Sequence, residues 1–171
     1  MQRQRQTAAA LTVLELYLLR HADALPPLGA SEAADRQRPL SQRGLAQLVA
    51  LGERRQPLLQ RTQHWLVSPL LRTQQTAAQL RPADSNLQLC ERLTPDSRCN
   101  EAIAAIDTLL APHLAGGLPA SAVVVTHMPL IGDLIEQLSG QRIAVPTAAL
   151  SLIKFDLFAP QLGTLMWSDS Q

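Results

Sequence analysis

The sequence predicts a three-layer α/β/α sandwich with a mainly parallel sheet and an antiparallel C-terminal strand. Three observations carry that prediction. Apolar runs of strand length at residues 14–20, 65–68, 86–89 and 122–126 alternate with segments whose apolar residues recur at helical spacing. Two last strand-like runs, 150–155 and 164–167, have Gly163 in the turn between them, which suits a hairpin. The 171 residues are about one domain's worth and 46% are hydrophobic, enough to bury a core without disulfides or a structural metal.

Each element has a local reason. LELYLLR at 14–20 is apolar and runs into a polar, Pro-containing stretch, so it reads as a buried strand. Residues 21–40 hold Asp23, Pro26, Pro27, Gly29 and Pro39 and read as loop. Ser41 is placed to cap a helix reaching about Gln60, with Leu45, Leu48, Val49 and Leu51 as its apolar face. Pro69 suits the first turn of a helix over 70–80 that ends at Pro82. A helix over 98–114 turns Ile103, Ile106, Leu109 and Leu110 inward and has Gly116 as its stop. AVVVT at 122–126 is the most strand-like run, and a helix over 129–138 follows it, with Gly140 beyond. There is no internal repeat, low-complexity segment or linker, so residues 14–171 read as one domain behind a tail over 1–13.

Composition narrows the function. The formal net charge is +1, and the only basic cluster is Arg3 and Arg5, so no nucleic-acid partner is expected. No apolar run reaches membrane-spanning length, and the tail runs into Glu15 without a signal-type cleavage site, so no membrane partner is expected either. Cys90 and Cys99 have no histidine pair at metal spacing and read as reduced thiols of a cytoplasmic protein. No metal or other cofactor is expected.

In an open α/β sheet, ligands gather outside the carboxyl ends of the strands. Arg20 and His21 follow the first predicted strand, Ser68 and Arg72 the second, Glu91 and Arg92 the third, and His127 the fourth. Taken singly, each is more often a polar exit to solvent or a satisfied histidine. Together at one sheet edge they suit phosphoryl transfer. Two guanidinium forks match phosphate oxygens, a protonated His127 adds a donor, and a neutral His21 can attack phosphorus.

The chain resembles the histidine phosphatase superfamily, with its phosphoglycerate mutase-like fold. The family's Arg-His-Gly strand end is Leu18-Leu19-Arg20-His21-Ala22 here; its Ser-Pro-x-x-Arg-x-x-x-Thr block runs from Ser68 through Arg72 to Thr76; its strand followed by histidine is Val123-Val124-Val125-Thr126-His127. The blocks keep the family's order, and the match spans residues 14–168. Arg38-Pro39-Leu40-Ser41 with Gly44, Leu93-Thr94-Pro95 and His127-Met128-Pro129-Leu130 resemble the small phosphohistidine phosphatases of the SixA type. The resemblance implies that His21 is phosphorylated in turnover and that Arg20, Arg72 and His127 form the phosphate pocket. It also implies a phosphohistidine-bearing protein, such as a histidine phosphotransfer domain, as substrate. Arg38 reads by residue type as a solvated loop arginine; the resemblance implies a substrate-binding role.

Two departures have chemical meaning. Ala22 stands where the signature has glycine: it leaves room for close approach to phosphate but disfavours positive φ. The span from Leu80 to Ser97 has no room for the lid of larger relatives, many of which supply a carboxylic acid there. Phosphohistidine tolerates that loss, because imidazole leaves more easily than an alkoxide. Glu91 reads equally well as an acid and as an exposed loop carboxylate. Hydrolysis of small phosphate esters such as sugar phosphates, or phospho-binding without turnover, are the alternative activities.

Overall fold

The structure, a computed structural model, describes residues 14–115 and 120–169; the expected tail over 1–13 and the stop at Gly116 lie outside them. In chain order the elements are β1 (Leu14–Arg20), α1 (Glu32–Arg36), α2 (Gln42–Leu59), β2 (His64–Val67), α3 (Leu71–Leu80), β3 (Asn86–Leu89), α4 (Cys99–Ala115), β4 (Ala120–Thr126), α5 (Leu130–Ser139), β5 (Leu150–Phe155) and β6 (Thr164–Ser168). They form one six-stranded sheet in the order β3-β2-β4-β1-β5-β6. The first four strands are parallel, β5 runs against β1, and β6 runs against β5, so β5 is the one reversed strand.

The alternation of side chains along the central strands fixes the layers. Leu14, Leu16 and Leu18 of β1 join Ala122 and Val124 of β4 in one cluster with Ile106 and Leu110 of α4 and Leu134 and Ile135 of α5. Tyr17 and Leu19 join Val123 and Val125 in a second cluster with Leu48 and Leu51 of α2 and Ala77 and Leu80 of α3. Both faces of the sheet are therefore covered, which is why β1 and β4 read as near-continuous apolar runs. The expected α/β/α sandwich is the fold that forms.

Four local expectations need correction. The expected loop 21–40 contains α1, capped by the Ser31 hydroxyl, which accepts from the Ala34 N–H. It buries no residue, so it leaves no apolar period to read. The inner face of α2 is Gly44, Leu48, Leu51 and Leu59, whereas Leu45 and Val49 are exposed. Pro69 lies just outside α3, whose N-cap is Leu70. In α4 the small Ala102 takes the fully buried position, and Ile103 is only partly buried.

The start of α2 is tied to the loop after β1. Ser41 caps the helix through the Gly44 N–H, and its own N–H and hydroxyl donate to the carbonyl and carboxylate of Asp23. A Cβ at Gly44 would be driven into the Asp23 carbonyl, with the Asp23 N and C also within about contact distance. Both sides of that contact are backbone. Helix propensity alone would make Gly44→Ala stabilising by about 1 kcal/mol. The clash reverses the sign, and we expect a loss of about 1–3 kcal/mol in urea unfolding, with lowered activity because Asp23 lies two residues from His21. A Gly44→Ala protein at least as stable as the parent would show that the Asp23 loop yields freely.

Candidate active site

Strand register brings the chemistry together. Arg20 stands opposite Thr126 in the β1–β4 ladder, and Val67 stands opposite Val125 in the β2–β4 ladder. The next residues of the three strands, His21, Ser68 and His127, therefore leave the sheet side by side. The His21 N–H donates to Thr126 O and the Ser68 N–H to Val125 O, each at 3.0 Å. The His21 and His127 rings end 5.0 Å apart between centroids. Arg72 reaches the same place from the first turn of α3. Arg20, His21, Arg38, Arg72 and His127 all line one cavity of about 500 Å³ at this edge.

The Ser-Pro-x-x-Arg-x-x-x-Thr block acts as a brace. The Thr76 hydroxyl accepts from the Ala22 N–H at 3.1 Å and donates to Arg72 O at 2.7 Å, joining the loop after β1 to α3. Ala22 is fully buried, and among the described residues only Ala148 and Gln161 combine a side chain with positive φ. The alanine at this position thus carries no backbone strain.

His21 Nδ1 lies 2.7 Å from the carbonyl oxygen of Ala22. A carbonyl only accepts, so Nδ1 carries the proton and Nε2 keeps its lone pair. Burial, helped by the charges of Arg72, Arg20 and Arg38, pushes the His21 pKa down to about 4, although the bond to Ala22 opposes the shift. Burial, then His21 and the same arginines, pushes His127 to about 2. In the free protein burial therefore favours the neutral form of both rings at pH 7, whereas the sequence leads us to expect a protonated His127. Three buried nitrogens of these residues have no hydrogen-bond partner: Arg20 Nε, Arg72 Nε and His127 Nδ1. An unpaired buried N–H is expensive, so such a group calls for an acceptor.

The outer groups of the arginines are held. Arg20 Nη1 donates to Val145 O at 2.7 Å. Arg72 donates from Nη1 to the Asp35 carbonyl at 2.8 Å and from Nη2 to the Asp35 carboxylate at 3.2 Å. Arg38 sits at the rim and donates to Asp35 Oδ1 at 3.1 Å and to Leu25 O at 2.7 Å. It is a bonded rim arginine, not a bare solvated one. Asp35 was not singled out by sequence reasoning; Ser31 followed by Glu-Ala-Ala, a cap before helix formers, was the available signal. Ser68 was visible in its motif, but its contact was not: its hydroxyl lies 2.8 Å from His127 Nε2.

Glu91 does not join the site. It starts a 3₁₀ turn, is exposed, and accepts two hydrogen bonds from Arg36 at 3.0 and 3.1 Å. The cavity is lined from that side by Thr94, Pro95 and Asp96 instead. The span after Leu80 is used up by β3 and this turn.

Fold and cavity together define an α/β protein with an anion-accepting site at the carboxyl ends of its central strands. The sequence profile of the histidine phosphatase superfamily (branch 1) matches residues 16–95. No curated protein matches the chain by sequence. Among solved structures, the protein histidine phosphatase SixA complexed with tungstate is similar at TM-score 0.74 and 26% identity, covering 91% of this chain and 96% of that one. A putative phosphohistidine phosphatase SixA from Nakamurella multipartitia has TM-score 0.74 at 18% identity, covering 92% and 95%. Another from Agrobacterium tumefaciens has TM-score 0.71 at 21% identity, covering 92% and 98%; at these identities both share the fold. The match to the superfamily profile and the full-length likeness to a protein histidine phosphatase both point to a phosphatase of this kind.

The depressed histidines make stability depend on pH. In the unfolded chain both titrate near 6.5, whereas folded they stay neutral to about 4 and about 2. Between these values the unfolded chain binds more protons, so stability is full above about pH 6.5 and falls as pH drops toward 4. Denaturant midpoints measured from pH 7 to pH 4 should show this decline, and His127→Gln should flatten it. Equal slopes in the two proteins would mean that His127 titrates normally.

Proposed function

We propose that the chain removes phosphate from protein phosphohistidine through a covalent intermediate on His21. The observation that carries this reading is the Nδ1–H bond from His21 to Ala22 O, which leaves a neutral ring with its Nε2 lone pair free. In the first step Nε2 attacks phosphorus, and the P–N bond to the partner's imidazole breaks with its electron pair returning to that nitrogen. When the partner ring carries a proton on its other nitrogen, it leaves as neutral imidazole. In the second step water adds to phosphorus, the P–Nε2 pair returns to His21, and inorganic phosphate departs as H₂PO₄⁻. Arg20, Arg72 and His127 supply fixed donors to the phosphoryl oxygens in both steps.

The substrate class is supported by what the rim offers. Glu91 is not among the residues that line the cavity, and both its oxygens accept from Arg36, so it is poorly placed to protonate an alkoxide. Imidazole needs less help than an alkoxide. The short span after Leu80 and the 26% identity to SixA favour the same class. We assign the partner as a histidine phosphotransfer domain or a similar protein, met in the cytoplasm, where the free thiols of Cys90 and Cys99 stay reduced. Arg38, at the rim, contacts that partner.

His21→Ala should abolish turnover while the protein stays folded, because the covalent path closes. Rapidly quenched wild type should carry phosphate on His21 by mass spectrometry. Near-normal turnover by His21→Ala would remove the nucleophile assignment.

Phosphohistidine should be hydrolysed faster than a sugar phosphate by about a hundredfold to ten-thousandfold, the usual worth of general-acid assistance. Glu91→Gln should leave phosphohistidine hydrolysis unchanged. A wild type that favours sugar phosphates, together with a crippled Glu91→Gln, would replace this reading with an ester phosphatase. Binding of phosphate without turnover of either substrate would make the chain a phospho-binding module.

A further inference from the structure

We propose that Ser68 is a positioning residue that sets the tautomer of His127 and so makes a neutral imidazole a hydrogen-bond donor to the phosphoryl group. The proposal rests on the reading of the cavity as a phosphoryl site. Its starting point is that a neutral imidazole has one N–H and one bare nitrogen. His127 lines the cavity, its Nε2 is taken by Ser68 at 2.8 Å, and its Nδ1 has no partner. Nδ1 is therefore the nitrogen left for whatever occupies the cavity. With a proton there, His127 extends the donor set of Arg20 Nε and Arg72 Nε. Without one, its lone pair meets the phosphoryl oxygens and repels them.

Counting hydrogen bonds decides which form the protein holds. Ser68 is 0% exposed and lies outside the cavity lining, so water does not complete the bonding of its hydroxyl. The Ser68 hydroxyl has no other hydrogen-bond partner among the described residues. If His127 donated from Nε2 to Ser68, two groups would be left unsatisfied: the buried hydroxyl proton and the bare Nδ1. If Ser68 donates to Nε2, only the Nδ1–H is left, and a phosphoryl oxygen satisfies it. The second arrangement leaves fewer orphans in the free protein and none in the occupied one.

Ser68 is held where this requires. Its N–H is fixed by Val125 O in the strand ladder, and its carbonyl accepts from the Thr73 hydroxyl at 2.7 Å. The hydroxyl is thus placed by β2, β4 and α3 together. Ser68 touches no substrate in this scheme; it acts through His127.

The test reads the tautomer directly. In ¹⁵N-labelled, unliganded wild type, long-range proton–nitrogen correlation, with His127 assigned by its loss in His127→Gln, should show Nδ1–H and a bare Nε2. Ser68→Ala should move the ring toward the Nε2–H form and weaken binding of inorganic phosphate by about 10–100-fold, by analogy with the groups that orient metal-ligating histidines. Ser68→Thr, which keeps the hydroxyl, should retain both properties. An Nε2–H ring in the wild type overturns the proposal without any variant. So does a folded Ser68→Ala protein with unchanged tautomer and phosphate affinity. If the tautomer follows Ser68 but phosphohistidine is not hydrolysed, the Ser68 assignment stands and the proposed activity fails.

Discussion

The parallel pairing of β1 with β4 is the constraint on which the rest of the site depends. Both strands are buried on both faces, and one register runs from Leu14 opposite Ala120 to Arg20 opposite Thr126. A slip of one residue would exchange the two apolar faces of β1 and expose either Leu16 and Leu18 or Tyr17 and Leu19 to the wrong layer. The core therefore fixes the register, and the register fixes how far apart His21 and His127 stand. Two histidines separated by more than a hundred positions in sequence meet because apolar side chains below them leave no other pairing.

The second consequence is electrostatic. Arg72 is 3% exposed, and removing a guanidinium from water costs several kcal/mol unless partners replace the solvent. Asp35 and Val145 supply those partners on the outer nitrogens of Arg72 and Arg20 and leave Nε of each unpaired inside. The same burial keeps both histidines neutral. A site of this kind stores unmet donors, which cost stability in the free protein and are repaid when an anion arrives. The neutral His21 suits attack on phosphorus, and the neutral His127 needs a chosen tautomer to be of use.

The rim is built differently from the floor. The floor residues emerge from strand ends braced by Thr76 and Ser68, whereas Asp35, Arg36 and Arg38 belong to α1 and the chain just after it. Helix α1 has no buried residue, so polar contacts hold it: Asp35 to Arg72 and Arg38, Arg36 to Glu91 and Glu32. The exposed pairs of Arg36 contribute little each, so the firm attachment of α1 is Asp35, whose carbonyl and carboxylate both accept from the buried Arg72.

By itself the sequence determined the layers and the strand ends, and it nominated a nucleophile and its cations. Those features follow from apolar periodicity, which is local, and from motif blocks that keep fixed spacing around Arg20, Arg72 and His127. Tertiary structure decided what lies across space. It turned Glu91 toward Arg36 and out of the cavity, and it inserted α1 where only loop was legible, because a helix without an apolar face leaves no period. It chose Gly44 over Leu45 for the contact with Asp23, because only a residue without Cβ fits against that carbonyl. It made His127 neutral, because protonation depends on burial and on charges brought from three other elements, none of which is a property of the residues beside it in sequence.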